Sequence, residues 1–344
     1  MRIAQGTGPT SYAQRHEDLH LLRCFEGQPT GIYIDIGAGH PVFDNVSFAF
    51  YLRGWSGVTV EPNPWLSQLA NAVRPRDTIV EALVSREAGE ADFYLVDEYH
   101  GLSTMNAAHA ERANAQFAKA SRTMRRPVAT LRDLCERLPG PAFDFLKIDV
   151  EGAEADVIAG GDFRRFRPRV IVVEALAPYT LDPAWDAYEP VLFAHGYRYV
   201  LFDSLNRYYV AEEEVRILDL FDSPPPSFEQ AIQFRNFGPA LQDADHPDHR
   251  LAGLLASADP VRLPLLPREA LASLLAADLD DSDRRAEQAY LDRAVERLFA
   301  DSPPVPLAAT LLRSGMSLRG LYLKIAESDA IRVACGRISA SSAW

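Results

Sequence analysis

The sequence predicts an α/β protein: a mostly parallel sheet covered by helices through residue 225, then a helical region over 226–344. Three observations carry this. From residue 31, short apolar runs alternate with helix-like stretches, the pattern of successive βα units. The run "GYRYVLFDSLNRYYVA", 196 to 211, joins two strand-like halves through the polar turn "DSLN", which predicts a hairpin with one strand antiparallel to the rest. "SPPPS", 223 to 227, then breaks the chain, because three successive prolines continue neither a helix nor a central strand.

In chain order, strands are expected at "GIYIDIG", "GVTVEP", "TIVEALV", "FDFLKIDV" and "RVIVVEA", beginning at 31, 57, 78, 143 and 169. Between them "NVSFAFYLRGW" puts Val46, Phe50 and Tyr51 on one side of a helix. "TLRDLCERL" opens on Thr130, a natural N-cap, and carries Leu131, Leu134, Cys135 and Leu138 at helical spacing. "EGAEADVIAG" ends at paired glycines that suit a helix stop. Beyond the prolines, "REALASLLAADL", "RRAEQAYLDRAVERLFA" and "GLYLKIAESDAIRVACG" repeat apolar residues every three and four positions, fit for core packing or for docking and oligomerisation.

Composition narrows the function. A formal net charge of −13 and no clustered basic surface argue against a nucleic-acid partner. The best basic cluster, "RTMRR" at 122 to 126, reads as a solvated loop or helix end. Cys24, Cys135 and Cys335 are far apart with no CxxC, so neither a disulfide framework nor a thiolate zinc site is indicated. No stretch is long and apolar enough for a membrane span and "MRIAQGTGPTSYAQR" has no apolar h-region, so a cytoplasmic location is expected.

"IYIDIGAGHP", 32 to 41, is a glycine turn at the carboxyl end of the first strand, where open α/β sheets bind nucleotide-like ligands. A dinucleotide and S-adenosylmethionine both suit that place. Gly37 and Gly39 satisfy G-x-G, but Val42 stands where the dinucleotide fingerprint needs a small third residue, and Pro41 delays the helix. Asp35 would repel a pyrophosphate and welcome a sulfonium or ammonium. Glu61 ends the second strand, placed to accept hydrogen bonds from ribose hydroxyls, and Pro62, Asn63 and Pro64 bend the chain across the adenine side.

"YIDIGAGHPVFDNVSFAFYLRGWSGVTVEPNP", followed by "FDFLKIDVEGAEADVIAG" and "VVEA", resembles the FkbM family of S-adenosylmethionine-dependent O-methyltransferases, in particular the branch associated with bacterial glycan assembly. The resemblance spans about residues 15–225 and includes "GLST" at 101 to 104. It implies the class I methyltransferase fold, a Rossmann-like sheet of seven strands with the last antiparallel. His40 and Pro41 depart from the family's usual loop. The cofactor side implied is Asp35, Gly37, Ala38, Gly39, His40, Asn45, Ser47, Glu61, Pro62, Asn63, Ala82, Leu83, Ser103 and Asp149. The Ala-rich "AAHAERANAQFAKASR" has little to bury and reads as a mobile cap over the donor or as a solvated connection.

Methyl transfer to a sugar hydroxyl needs a base or a metal to take the proton. Lys147 and Asp149 share one face of the strand "FLKIDV", Glu151 follows, Glu174 closes the next strand, and His195 precedes the sixth. Asp149, Glu151 and Glu174 could hold Mg²⁺ or Ca²⁺; alternatively Asp149 or Glu174 is the base, with Lys147 neutralising the cluster. Acceptor contacts are expected from Glu151, Tyr179, Trp185, Asn206, Arg207 and Tyr208. A nicotinamide-dependent oxidoreductase and a non-catalytic scaffold in a glycan-assembly complex remain as alternatives.

Overall fold

A computed structural model of the protein describes residues 10–233, apart from 43, 97–102, 108, 113–120, 179–181, 224–227 and 229–230. Tyr179, most of the expected cap and the helical region past 233 lie outside the described residues. The chain divides into two compact units, Met1–Asn71 with Arg76–Arg235, and Ala72–Pro75 with Asn236–Trp344. The first holds every strand described below.

Five parallel strands, β2 (Ile32–Ile36), β3 (Ser56–Val60), β4 (Thr78–Val80), β8 (Ala142–Ile148) and β9 (Arg167–Glu174), form most of a seven-stranded sheet. The hairpin strands β10 (Tyr197–Phe202) and β11 (Asn206–Ala211) complete it in the order β10-β11-β9-β8-β2-β3-β4. β11, last of the seven in sequence, is antiparallel to both its neighbours, as expected. Ser204 in the "DSLN" turn takes φ 81°, which the short polar loop tolerates. β1 (Thr10–Ser11) pairs in parallel with β12 (Ile232–Gln233).

Alternation along the strands builds two cores, one on each side of the sheet. Ile34, Ile36, Leu146, Ile148, Ile171 and Val173 pack on Leu131, Leu134, Val157 and Ile158. Tyr33, Phe145, Val170, Val172 and Tyr208 pack on Leu21, Phe25, Phe50 and Trp55. This second core is aromatic: the Phe145 ring lies 4.8 Å from Phe50 and 5.3 Å from Tyr33, centroid to centroid. Such pairs add about 0.5–1.5 kcal/mol each beyond the area they bury. The same face continues upward into Asp35 and Lys147, so the aromatic core is the floor of a polar site.

Two expectations are corrected. "TIVEALV" is two strands: β4 stops at Val80, and β5 (Leu83–Val84) joins a separate three-stranded sheet, β5-β7-β6. "RTMRR" is neither loop nor helix end but lies inside β7 (Ser121–Ala129), the centre of that sheet, antiparallel to β6 (Gly89–Val96). Arg122 and Arg125 are exposed, as expected, whereas Arg126 is largely buried; Arg125 pairs with Asp92 of β6 at 3.4 Å and Arg126 with Glu81, between β4 and β5, at 2.9 Å. Cross-strand charge complementarity replaces the apolar alternation that would have marked the strand.

No helix among the described residues is long and apolar enough to cross a membrane.

Candidate active site

The turns leaving β2 and β8 touch. Asp149 N–H donates to Ile36 O at 3.1 Å, and Gly37 N–H donates to Val60 O at 3.0 Å, so three strand ends are stitched together by backbone alone. A Cβ on Gly37 would stand 1.6 Å from the Asp149 carbonyl oxygen, and its φ is +70°. Only glycine fits, because a methyl group there would occupy the neighbouring turn.

Lys147 binds this junction from beneath. Its buried Nζ donates to Gly37 O at 2.9 Å and lies 3.1 Å from Asp149 Oδ2 and 3.8 Å from Asp35 Oδ1. Burial pulls the ammonium's pKa down, but the charges of Asp149 and Asp35 outweigh it and the net shift is upward. Lys147 is therefore a fixed cation that neutralises the cluster and not a proton acceptor.

Asp35 is fully buried, and Ser47 Oγ donates to its Oδ2 at 2.5 Å. Asn45 Nδ2 donates to Ala38 O at 3.0 Å, while Asn45 Oδ1 accepts from Phe48 N–H at 2.8 Å. Asn45 and Ser47, expected as cofactor contacts, thus stand behind the loop and hold its shape. His40 turns back on its own loop, its Nδ1 accepting from Val42 N–H at 3.2 Å.

Glu61 braces the rim. Its carboxylate accepts from Gly39 N–H at 2.9 Å and Asn63 N–H at 2.8 Å. Burial pushes its pKa up to about 7, more than those N–H groups pull it down. Asn63 Oδ1 caps the helix Pro64–Val73 through Trp65 N–H at 3.0 Å. Pro62 is half-buried beside it. Ala82 and Leu83 are buried just past β4.

Opposite the loop, Asp149, Glu151 and Glu174 each turn an oxygen to a common point, all within 4.8 Å of one another. Glu151 and Glu174 are held well above the usual carboxylate range, first by burial and then by the charge of Asp149. Glu174 Oε2 is buried, with no hydrogen-bond partner among the described residues. Glu151 takes φ 56°, rare for a residue with a side chain, and Gly152 follows at φ 98°. Glu154 locks this turn by accepting from Val150 N–H at 3.1 Å and Gly152 N–H at 3.0 Å.

The remaining expected residues divide. Asn206, opposite Glu174 across β11 and β9, lies at the right end of the sheet. Its Nδ2 donates to buried Glu17 at 2.8 Å and to Asp203 at 3.3 Å, so it ties the helix Glu17–Cys24 to the hairpin. Tyr208 hydroxyl donates to Asp203 at 2.7 Å. Arg207 sits on the other face, over the Trp185 and Tyr199 rings at 4.4 and 3.9 Å, 3.1 Å from Glu189. His195 does not reach the site. It caps the helix Glu189–Ala194, its Nδ1 2.8 Å from Val191 O, at the amino end of β10, where Arg167 also binds its carbonyl. The histidine before a glycine serves the helix end.

Ser103 is half-buried, and its neighbour Thr104 makes the contact that matters. Thr104 Oγ1 donates to Glu151 O at 3.2 Å, and His109 Nδ1 lies 3.3 Å from the same oxygen. Thr104, His109, Glu154 and Glu17 are the site residues that the sequence does not single out. For Glu17 a signal existed: "HEDLH" packs two acids and two histidines into the start of an otherwise apolar helix.

A seven-stranded, mostly parallel sheet whose last strand is antiparallel, with a glycine loop leaving β2, is the Rossmann-like class I methyltransferase fold. Residues 35–199 match the family model described as Methyltransferase FkbM domain. Such a domain implies S-adenosylmethionine as methyl donor. Among solved structures, a TehB-like SAM-dependent methyltransferase from Corynebacterium glutamicum is similar at 10% identity over 57% of this chain and 87% of that one, with a TM-score of 0.32. None of the curated proteins matches the chain.

Proposed function

We propose that the protein is an S-adenosylmethionine-dependent O-methyltransferase whose acceptor is a hydroxyl of a glycan or a sugar-containing small molecule. The observation that carries this reading is the convergence of Asp149, Glu151 and Glu174 opposite the Asp35–Glu61 loop. S-adenosylmethionine supplies an activated methyl group. The acceptor oxygen attacks that carbon in line; as the C–O bond forms the C–S bond breaks, leaving S-adenosylhomocysteine. Glu174 takes the hydroxyl proton: its buried Oε2 faces the carboxylate group, and burial with the charge of Asp149 raises its affinity for a proton. Asp149, paired with Lys147, orients the acceptor, and Asp35 with the buried Lys147 fixes the loop. Asn206 lines the acceptor side, beside Glu174.

The three carboxylates also fit a hard divalent cation such as Mg²⁺, because all donors are oxygens and Glu174 Oε2 has no other partner among the described residues. Bound there, such an ion would acidify a coordinated hydroxyl.

Methyl-tritiated S-adenosylmethionine offered with a panel of methyl glycosides tests the reading. Glu174→Gln is expected to lower kcat by roughly 10²–10⁴ while leaving the Kd for S-adenosylhomocysteine within about threefold. Full turnover in that variant removes Glu174 as base. Activity lost to EDTA and restored by Mg²⁺ assigns the carboxylates to a metal; activity indifferent to EDTA assigns them to proton transfer.

A further inference from the structure

Glu151 reaches the carboxylate group only because its backbone adopts a left-handed turn, at φ 56°. For a residue with a side chain that conformation is strained, so something must hold it. Glu154 holds the flanking N–H groups of Val150 and Gly152, but the Glu151 carbonyl points the other way, toward residues 103–112. Two side chains meet it there: Thr104 Oγ1 at 3.2 Å and His109 Nδ1 at 3.3 Å. A carbonyl oxygen only accepts, so this contact places the proton of His109 on Nδ1.

Both side chains are themselves anchored. Thr104 exchanges backbone hydrogen bonds with Tyr94 of β6 at 2.9 and 3.2 Å, and its hydroxyl accepts from Asn106 N–H at 3.1 Å. Asn106 Oδ1 accepts from His109 N–H at 3.3 Å, starting the turn that carries the imidazole. The ring rests where a side chain on residue 152 would be, since a Cβ on Gly152 would come within 2.7 Å of His109 Cε1. The three-stranded sheet is thus mechanically continuous with the strained turn.

We propose that Thr104 and His109 are positioning residues that clamp the Glu151 carbonyl, so that these two side chains set the carboxylate geometry on which methyl transfer depends. The proposal rests on the methyltransferase reading above for its catalytic consequence, but the clamp itself stands apart from it. When the clamp is released, Glu151 relaxes from its turn and leaves Asp149 and Glu174. Donor binding, which uses the loop after β2, stays intact.

The test uses the full chain and two readouts. In Thr104→Val combined with His109→Ala, kcat with methyl glycosides is expected to fall at least about tenfold, with the Kd for S-adenosylhomocysteine within about threefold. Amide exchange in the peptide covering 150–153 is expected to quicken at least about tenfold, and that of the β2 strand not at all. Thr104→Ser, which keeps the donor, should recover turnover to within about twofold of wild type. Wild-type turnover and exchange in the double variant overturn the proposal, as does Thr104→Ser proving as slow as Thr104→Val. Should the double variant fail to fold, the comparison of Thr104→Ser with Thr104→Val decides. If wild-type protein methylates no glycoside, the acceptor reading falls, and exchange at 150–153 alone upholds or overturns the clamp.

Discussion

At residue 37 a single methyl group is decisive. Gly37→Ala would drive a Cβ to 1.6 Å of the Asp149 carbonyl oxygen at a backbone φ of +70°, so either the β2 turn or the β8 turn must move. We expect a loss of about 2 kcal/mol or more in stability and at least about a hundredfold in S-adenosylhomocysteine affinity, read by calorimetric titration. Gly39, two residues on, also has positive φ, but a Cβ there would meet nothing within 4 Å. Gly39→Ala should therefore fold with little more than the backbone penalty. The pair separates a glycine kept for space from one kept for conformation.

Among the elements, the short helix Leu131–Cys135 shows local sequence acting as read. Thr130 Oγ1 accepts from Asp133 N–H at 3.1 Å while Asp133 accepts from Thr130 N–H at 3.0 Å, a reciprocal capping box. Thr130→Ala is expected to cost about 1 kcal/mol, measurable as a lower urea midpoint at unchanged slope. The central strands were legible because burial on both faces makes them continuous apolar runs, and Asp35, Glu61, Asp149 and Glu174 because polar residues ending such runs stand at the rim. The β5-β7-β6 sheet was not legible: its middle strand is held by arginines and acids, which in a linear sequence resemble a solvated loop. Thr104 and His109 were invisible for another reason. They act on a carbonyl 47 and 42 residues away, and backbone oxygens leave no mark in a sequence. Asn45 and Ser47 were legible as members of the loop, but their roles were not, because facing the ligand and facing the loop's own backbone look alike until the chain is folded.

For the whole molecule, buried acids tie stability to pH. Glu17 is pushed up to about 8 by burial and by the charge of Asp203, and Glu61 to about 7 by burial, each from an ordinary value near 4.5. The native state thus binds these protons more tightly than the unfolded chain, so their contribution is full below pH 4.5 and is lost as pH rises through 7 and 8. We expect Tm to fall across that window by several degrees, and Glu17→Gln to flatten the slope in a thermal melt series. Glu17 lies on the helix Glu17–Cys24 and accepts from Asn206 on the hairpin, so the same titration places a buried charge between these two elements.

The contact between the Gly37 and Asp149 turns also bears on how such an enzyme can change. Lys147 and the backbone fuse the donor cradle and the carboxylate at the end of β8 into one rigid block. A mutation that widens this block for a bulkier alkyl donor would displace Asp149 as well, so donor and acceptor preferences cannot be tuned independently from inside it. New acceptors must instead be gained from the periphery, through the loop after β9 and the hairpin turn. Laboratory evolution toward a different acceptor should accumulate its substitutions there and leave "IDIGAG" and "LKIDVEG" untouched.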